Sequence, residues 1–78
     1  MSTKLKQDVS IGENLRNLRR NAGLSQEEVA AMLQVKGLSI SREIISQMEQ
    51  GKYSIRISVL LAMREVYHAS IEDFFEGL

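Results

Sequence analysis

The sequence predicts an all-α domain, a compact bundle of about five short helices, and three observations predict it. Ser25, Ser41 and Ser70 each stand just ahead of a stretch that can start a helix, two of them with apolar residues at helical spacing. Gly23, Gly37 and Gly51 stand just after such stretches, where a helix can close in the left-handed conformation. The chain has 78 residues and no cysteine, enough for one modest core and with no disulfide or thiolate site to hold a less regular shape.

Residues 1–8 are polar, carry Lys4 and Lys6 without a sustained period, and read as a flexible N-terminal arm. Such an arm can lie on phosphates or simply fray. Residues 9–78 read as the single domain. Asp8 or Ser10 can cap a first helix in which Ile11, Leu15, Leu18 and Ala22 recur at helical spacing and which Gly23 ends. Its polar side presents Arg16, Arg19 and Arg20.

Ser25 opens a second helix with a capping box: its hydroxyl takes a first-turn N–H while Glu28, three residues on, reaches back to the Ser25 amide. Val29, Ala30 and Leu33 share one face, leaving Gln26, Glu27 and Gln34 to solvent or a partner. Gln34, Val35 and Lys36 read as one more turn, with Gly37 as the residue that ends it, so the link to the next helix is only residues 37–40. Ser41 caps a third helix, and Glu43 in its first turn is favoured by the helix dipole. Ile45 and Met48 point inward. Arg42, Glu43, Ser46 and Gln47 fall on another side, and Gly51 closes the helix.

Lys52, Tyr53, Ser54, Ile55 and Arg56 form a linker with two cations and an aromatic ring directly after this helix. A fourth helix begins between residues 56 and 58 and carries Ile57, Leu60, Leu61, Met63 and Val66 as a wide apolar face for the core. His68 and Ala69 break the pattern. Ser70 then caps a last turn, residues 71–75, with Glu72 and Asp73 where carboxylates are favoured. Of Phe74 and Phe75, one ring can close the core, and both with Tyr67 and Leu78 could form a self-association patch.

A short third helix with an outward row of long hydrogen-bonding side chains suits the major groove of DNA, which admits one helix. Here the chain resembles the helix-turn-helix family of phage Cro and repressor-like transcription regulators. The residues that carry the likeness are Leu24-Ser25-Gln26-Glu27-Glu28-Val29-Ala30, then Ile40-Ser41-Arg42 and Ile45-Ser46-Gln47-Met48-Glu49-Gln50-Gly51, and it extends over residues 11–75. The resemblance implies a lambda-repressor-like DNA-binding domain. The chain departs from the family pattern in having seven residues, 34–40, where two are usual between the positions of Leu33 and Ser41, which lengthens the first motif helix or its turn. Arg64 stands where the family prefers alanine, and the proline common near the position of Ile55 is missing.

The resemblance further implies that Arg19 pairs with Glu49, tying the first helix to the end of the reading helix. It implies phosphate contacts from Gln26, Ser41, Lys52, Tyr53 and Arg56. The chemistry of base edges makes Arg42, Glu43, Ser46 and Gln47 the candidate base readers: Arg can grip guanine O6 and N7, Gln adenine N6 and N7, and Glu can accept from cytosine N4. Ile44, beside this row, can touch a thymine methyl or fill the core.

Nothing in the sequence suggests catalysis, a cofactor or a metal site: the serines serve as caps, there is no glycine-rich phosphate cradle, and a single His cannot build a metal centre. The longest apolar run, residues 59–63, is far short of a membrane span, and the polar start lacks a signal-peptide core, so a cytoplasmic, nucleoid-associated protein is expected. The formal net charge is zero, which is low for a nucleic-acid binder. It is unevenly spread. Residues 1–56 hold nine Lys and Arg against six acids, a balance of +3, and residues 57–78 hold one against four, a balance of −3. The expected function is thus sequence-specific binding of double-stranded DNA as a transcriptional regulator, a repressor, acting as a homodimer through Phe74, Phe75 and Leu78. The competing expectation is a protein-interaction module, or an antitoxin-like regulator, whose main partner is another protein.

Overall fold

A computed structural model of the chain describes residues 4–5 and 9–78. The elements in order are β1 (Lys4–Leu5), α1 (Gly12–Asn21), α2 (Gln26–Val35), α3 (Arg42–Glu49), β2 (Ile55–Arg56), α4 (Ile57–Tyr67) and α5 (Ile71–Phe74). Local chemistry sets most of these bounds. Ser25 accepts from the Glu28 amide while Glu28 accepts from the Ser25 amide, a complete capping box. The backbone hydrogen bond from Ser25 also holds the Glu28 carboxyl below its ordinary range. Ser70 and Asp73 form the same box ahead of α5. Ser41 caps α3 by accepting from the Ile44 amide at 3.3 Å. At α1 the cap is offset: Ser10 Oγ accepts from the Gly12 amide, and Asp8 lies outside the described residues.

α1, α2 and α3 end in one way. Gly23, Gly37 and Gly51 have φ of 73°, 85° and 74°. The next residue's N–H reaches back to the carbonyls of Arg19, Leu33 and Gln47 respectively, so each end is a Schellman motif. The extra residues 34–36 therefore extend α2 as the sequence predicts, and the turn keeps its short reach. α4 ends with the same bonds, Ala69 N–H to Arg64 and His68 N–H to Glu65, but with His68 at φ 53°.

Leu15 of α1, Val29 and Leu33 of α2, Ile45 and Met48 of α3, Val59, Leu60, Met63, Val66 and Tyr67 of α4, and Phe74 of α5 make one core. Two expectations need correction. Ile57 and Leu61 are 42% and 43% exposed, not core residues. α4 is apolar around most of its circumference, so side-chain period does not choose its inner face; Val59 and Ala62 turn inward in their place, while Leu60, Met63 and Val66 are buried as expected. Phe74 and Tyr67 are buried and take no part in a surface patch; Phe74 is the ring that closes the core, while Phe75 and Leu78 remain exposed. The backbone after Phe74 is held by Asn14 of α1, whose Nδ2 donates to the carbonyls of Phe74 and Glu76 at 2.9 Å each.

The all-helical bundle carries one addition, an antiparallel ladder in which Lys4 pairs with Arg56 and Leu5 with Ile55. Part of the expected N-terminal arm is thus paired with the segment that follows α3; its remaining residues, 1–3 and 6–8, lie outside the described ones. No helix among the described residues is long and apolar enough to cross a membrane.

Candidate nucleic-acid interface

The residues of α3 divide cleanly around its axis. At 100° per residue, positions 42, 43, 46, 47 and 50 fall within roughly 140° of the circumference, and 45 and 48 lie opposite. Ile45 and Met48 are buried and Ile44 is half-buried against the core, so the core-filling use of Ile44 is the one observed. Arg42, Glu43 and Gln47 are exposed, Ser46 is half-buried, and together with Gln50 and Lys52 they line one shallow open concavity. All four sequence-predicted base readers are therefore side by side at the surface.

The inner side of the helix end is fixed by Glu49, which is only 4% exposed. Arg19 donates to it through both Nε, at 2.7 Å to Oε2, and Nη2, at 3.0 Å to Oε1, and spends Nη1 on the Leu24 carbonyl at 2.9 Å. Gln26 Nε2 adds a bond at 3.2 Å, and Arg16 Nε approaches to 3.9 Å. The two-point contact with Glu49 raises the Arg19 guanidinium above its ordinary value, against the opposing cost of burial. One carboxylate so joins α1, the start of α2 and the end of α3.

Gly12 allows this closeness. A Cβ on it would sit 2.7 Å from the Glu49 carbonyl carbon and 2.9 Å from the Gly51 nitrogen, both backbone atoms that cannot swing away. Within electrostatic reach of Arg19 and Glu49, the Tyr67 hydroxyl is buried with no hydrogen-bond partner among the described residues. Burial, and then the neighbouring Glu49 carboxylate, push its pKa up, with Arg19 opposing.

The expected phosphate contacts are spread over three places. Gln26 stands half-buried at the start of α2 with its amide on Glu49, and Ser41 is the α3 cap. Lys52 shares the concavity of the base readers. Tyr53 and Arg56 face a second groove on the other flank of α3, bounded by the turn residues Gly37, Leu38 and Ile40. The linker after α3 thus splits across both flanks of the helix and does not act as one strip.

Sequence reasoning missed three neighbours. Gln50 joins the concavity and donates to Ser46 Oγ at 3.1 Å, which its spacing of four residues from Ser46 could have shown. Glu27 lies 3.9 Å from Arg42 Nε, and Lys36 pairs with Glu65 at 2.6 Å, drawing that carboxyl below its ordinary range. Both join residues distant in sequence, for which no local signal exists. No group of His, Asp or Glu among the described residues could hold a metal ion.

Comparison with known proteins shows the family and the fold. The chain is 34% identical over 61 residues, 78% of its own length and 80% of the relative's, to a protein of Archaeoglobus fulgidus described as an uncharacterized HTH-type transcriptional regulator. Its fold superposes on the crystal structure of an HTH_3 family transcriptional regulator from Vibrio cholerae with a TM-score of 0.67 and 32% identity. That match covers 83% of this chain but only 34% of the Vibrio protein, so the chain spans about a third of that regulator's length. Residues 10–74 fit the family model for a helix-turn-helix domain, and the chain belongs to that family.

Proposed function

We propose that this domain binds double-stranded DNA sequence-specifically and acts as a transcriptional regulator, with α3 lowered into the major groove. One observation carries the reading: Arg42, Glu43, Ser46 and Gln47 form an outward polar row on a helix whose other side is held rigidly by the Glu49 network. Rigid presentation matters because a bidentate contact to a base edge tolerates little angular error. In this reading Arg42 grips guanine, Gln47 adenine and Glu43 cytosine, while Ser46 contacts whichever edge lies nearest. Gln26, Ser41, Lys52, Tyr53 and Arg56 hold phosphates and set the register. Lys52 on one flank of α3 and Arg56 on the other then meet the two strands that border the groove. The domain comprises residues 9–78 and works in the cytoplasm on chromosomal DNA.

Repression is the regulatory outcome that occupancy of a site delivers by itself. A homodimer places two copies of α3 about one helical turn apart, on half-sites related by a two-fold axis. The exposed Phe75 and Leu78 beyond α5 are its contact residues.

Selection from a randomised duplex pool at low salt tests the reading. Enrichment of a motif supports it, and a pool that stays random contradicts it. On the enriched duplex Lys52→Ala should weaken every sequence alike and reduce the salt slope by about one. The formal net charge of zero favours a second reading, in which the helix arrangement serves a protein partner. Binding to duplex that does not fall log-linearly with salt would support that alternative.

A further inference from the structure

We propose that Glu27 is a positioning residue for base recognition: its carboxylate steers the Arg42 guanidinium so that the outer fork faces the groove, and penalises sites where Arg42 finds no guanine. The inference deepens the DNA-binding reading above and rests on it. Its ground is a juxtaposition that joins two helices. Glu27 is in the first turn of α2 and Arg42 is the first residue of α3, and Glu27 Oε1 stands 3.9 Å from Arg42 Nε.

The atom matters. A guanidinium offers two hydrogen-bonding edges, and a carboxylate drawn to the Nε edge leaves the pair of terminal Nη groups free, which is the fork that matches guanine O6 and N7. Glu27 is available for this because Glu28, not Glu27, completes the capping box of α2. Side chains of Arg42 and Glu27 remain 51% and 81% exposed, so the contact orients the arginine without burying it.

The same carboxylate also carries a cost on DNA. It sits at the edge of the surface that would meet the phosphates, where an unpaired negative charge repels the duplex. When guanine is present, Arg42 bridges the base and Glu27, and the charge is compensated. When guanine is replaced, Arg42 loses the acceptor that held its guanidinium between the base and Glu27, the contact to that base pair is lost, and the repulsion between the Glu27 carboxylate and the duplex is left uncompensated. Glu27 therefore trades affinity for discrimination, the role that an introduced repulsive element plays in specific recognition.

The test uses the full chain and the duplex enriched by selection, with the base pair read by Arg42 replaced in turn by the other three. Glu27→Gln should tighten binding to scrambled duplex and reduce the guanine preference at that one position by roughly two- to five-fold, the scale of an exposed charge pair. Glu27→Asp should keep most of the preference. In an Arg42→Ala background Glu27→Gln should leave that position unchanged. A Glu27→Gln protein that keeps the full preference, or loses it evenly at all positions, overturns the inference while leaving the DNA-binding reading intact. That reading fails separately, when the wild-type chain enriches no sequence.

Discussion

The two sides of α3 are built on opposite principles. Its inner side spends every strong interaction on the protein: Glu49 takes two bonds from Arg19 and one from Gln26, Met48 and Ile45 are buried, and α1 approaches so closely that only glycine fits at residue 12. Its outer side leaves Arg42, Glu43 and Gln47 exposed, and Arg42 meets Glu27 at 3.9 Å. The difference separates two tasks within a single eight-residue helix. One side fixes where the helix is, so the other can be chosen for what it touches. Substitutions on the inner side should therefore change stability, and those on the outer side should change binding alone.

The largest effect belongs to Glu49→Ala. It leaves the half-buried Arg19 guanidinium without its carboxylate, and the expected loss approaches about 3 kcal/mol, the lower end for a broken buried pair. Urea unfolding followed by circular dichroism measures it, and a loss below about 0.5 kcal/mol would break the comparison at its inner side. Gly12→Ala comes next, at about 1–3 kcal/mol, because its methyl group meets backbone of Glu49 and Gly51 and forces α1 and α3 apart.

Tyr67→Phe sharpens the picture. It removes a buried hydroxyl that has no partner among the described residues, so the variant should be more stable by about 1 kcal/mol. The pH dependence has a definite sign. Folding raises the Tyr67 pKa above the unfolded value of about 10, so the stability linked to it is complete below about pH 10 and is lost as pH rises further. Thermal unfolding from neutral to strongly alkaline pH should show that decline in the wild type and a shallower one in Tyr67→Phe; parallel curves would refute the burial of the hydroxyl. The smallest effect is expected at Gln47→Ala, whose stability should stay within about 0.5 kcal/mol of wild type because the side chain is exposed.

How far the sequence spoke depended on distance along the chain. The capping residues Ser25, Glu28, Ser41 and Ser70 and the closing glycines 23, 37 and 51 act on neighbours three to five residues away, and all of them were legible. The lengthened α2 followed from the same rules, since Gly37 could only be placed as its end. The outward row of α3 was legible from its period. The facing of α4 was not, because Ile57 and Leu61 differ from Leu60 and Met63 in nothing that composition records. The ladder between residues 4–5 and 55–56 is too short to show alternation. The left-handed turn at His68 had no glycine to announce it. The contacts of Glu27 with Arg42 and Lys36 with Glu65 exist only once the helices are packed.

In the proposed reading, the outer row of α3 is the part that reads sequence. The direct test is the base preference of Arg42→Ala, measured position by position on the selected duplex. The account predicts a loss of about 1–3 kcal/mol confined to one base pair, with that position relaxed and the others unchanged. An even loss across all positions, or none, would contradict it.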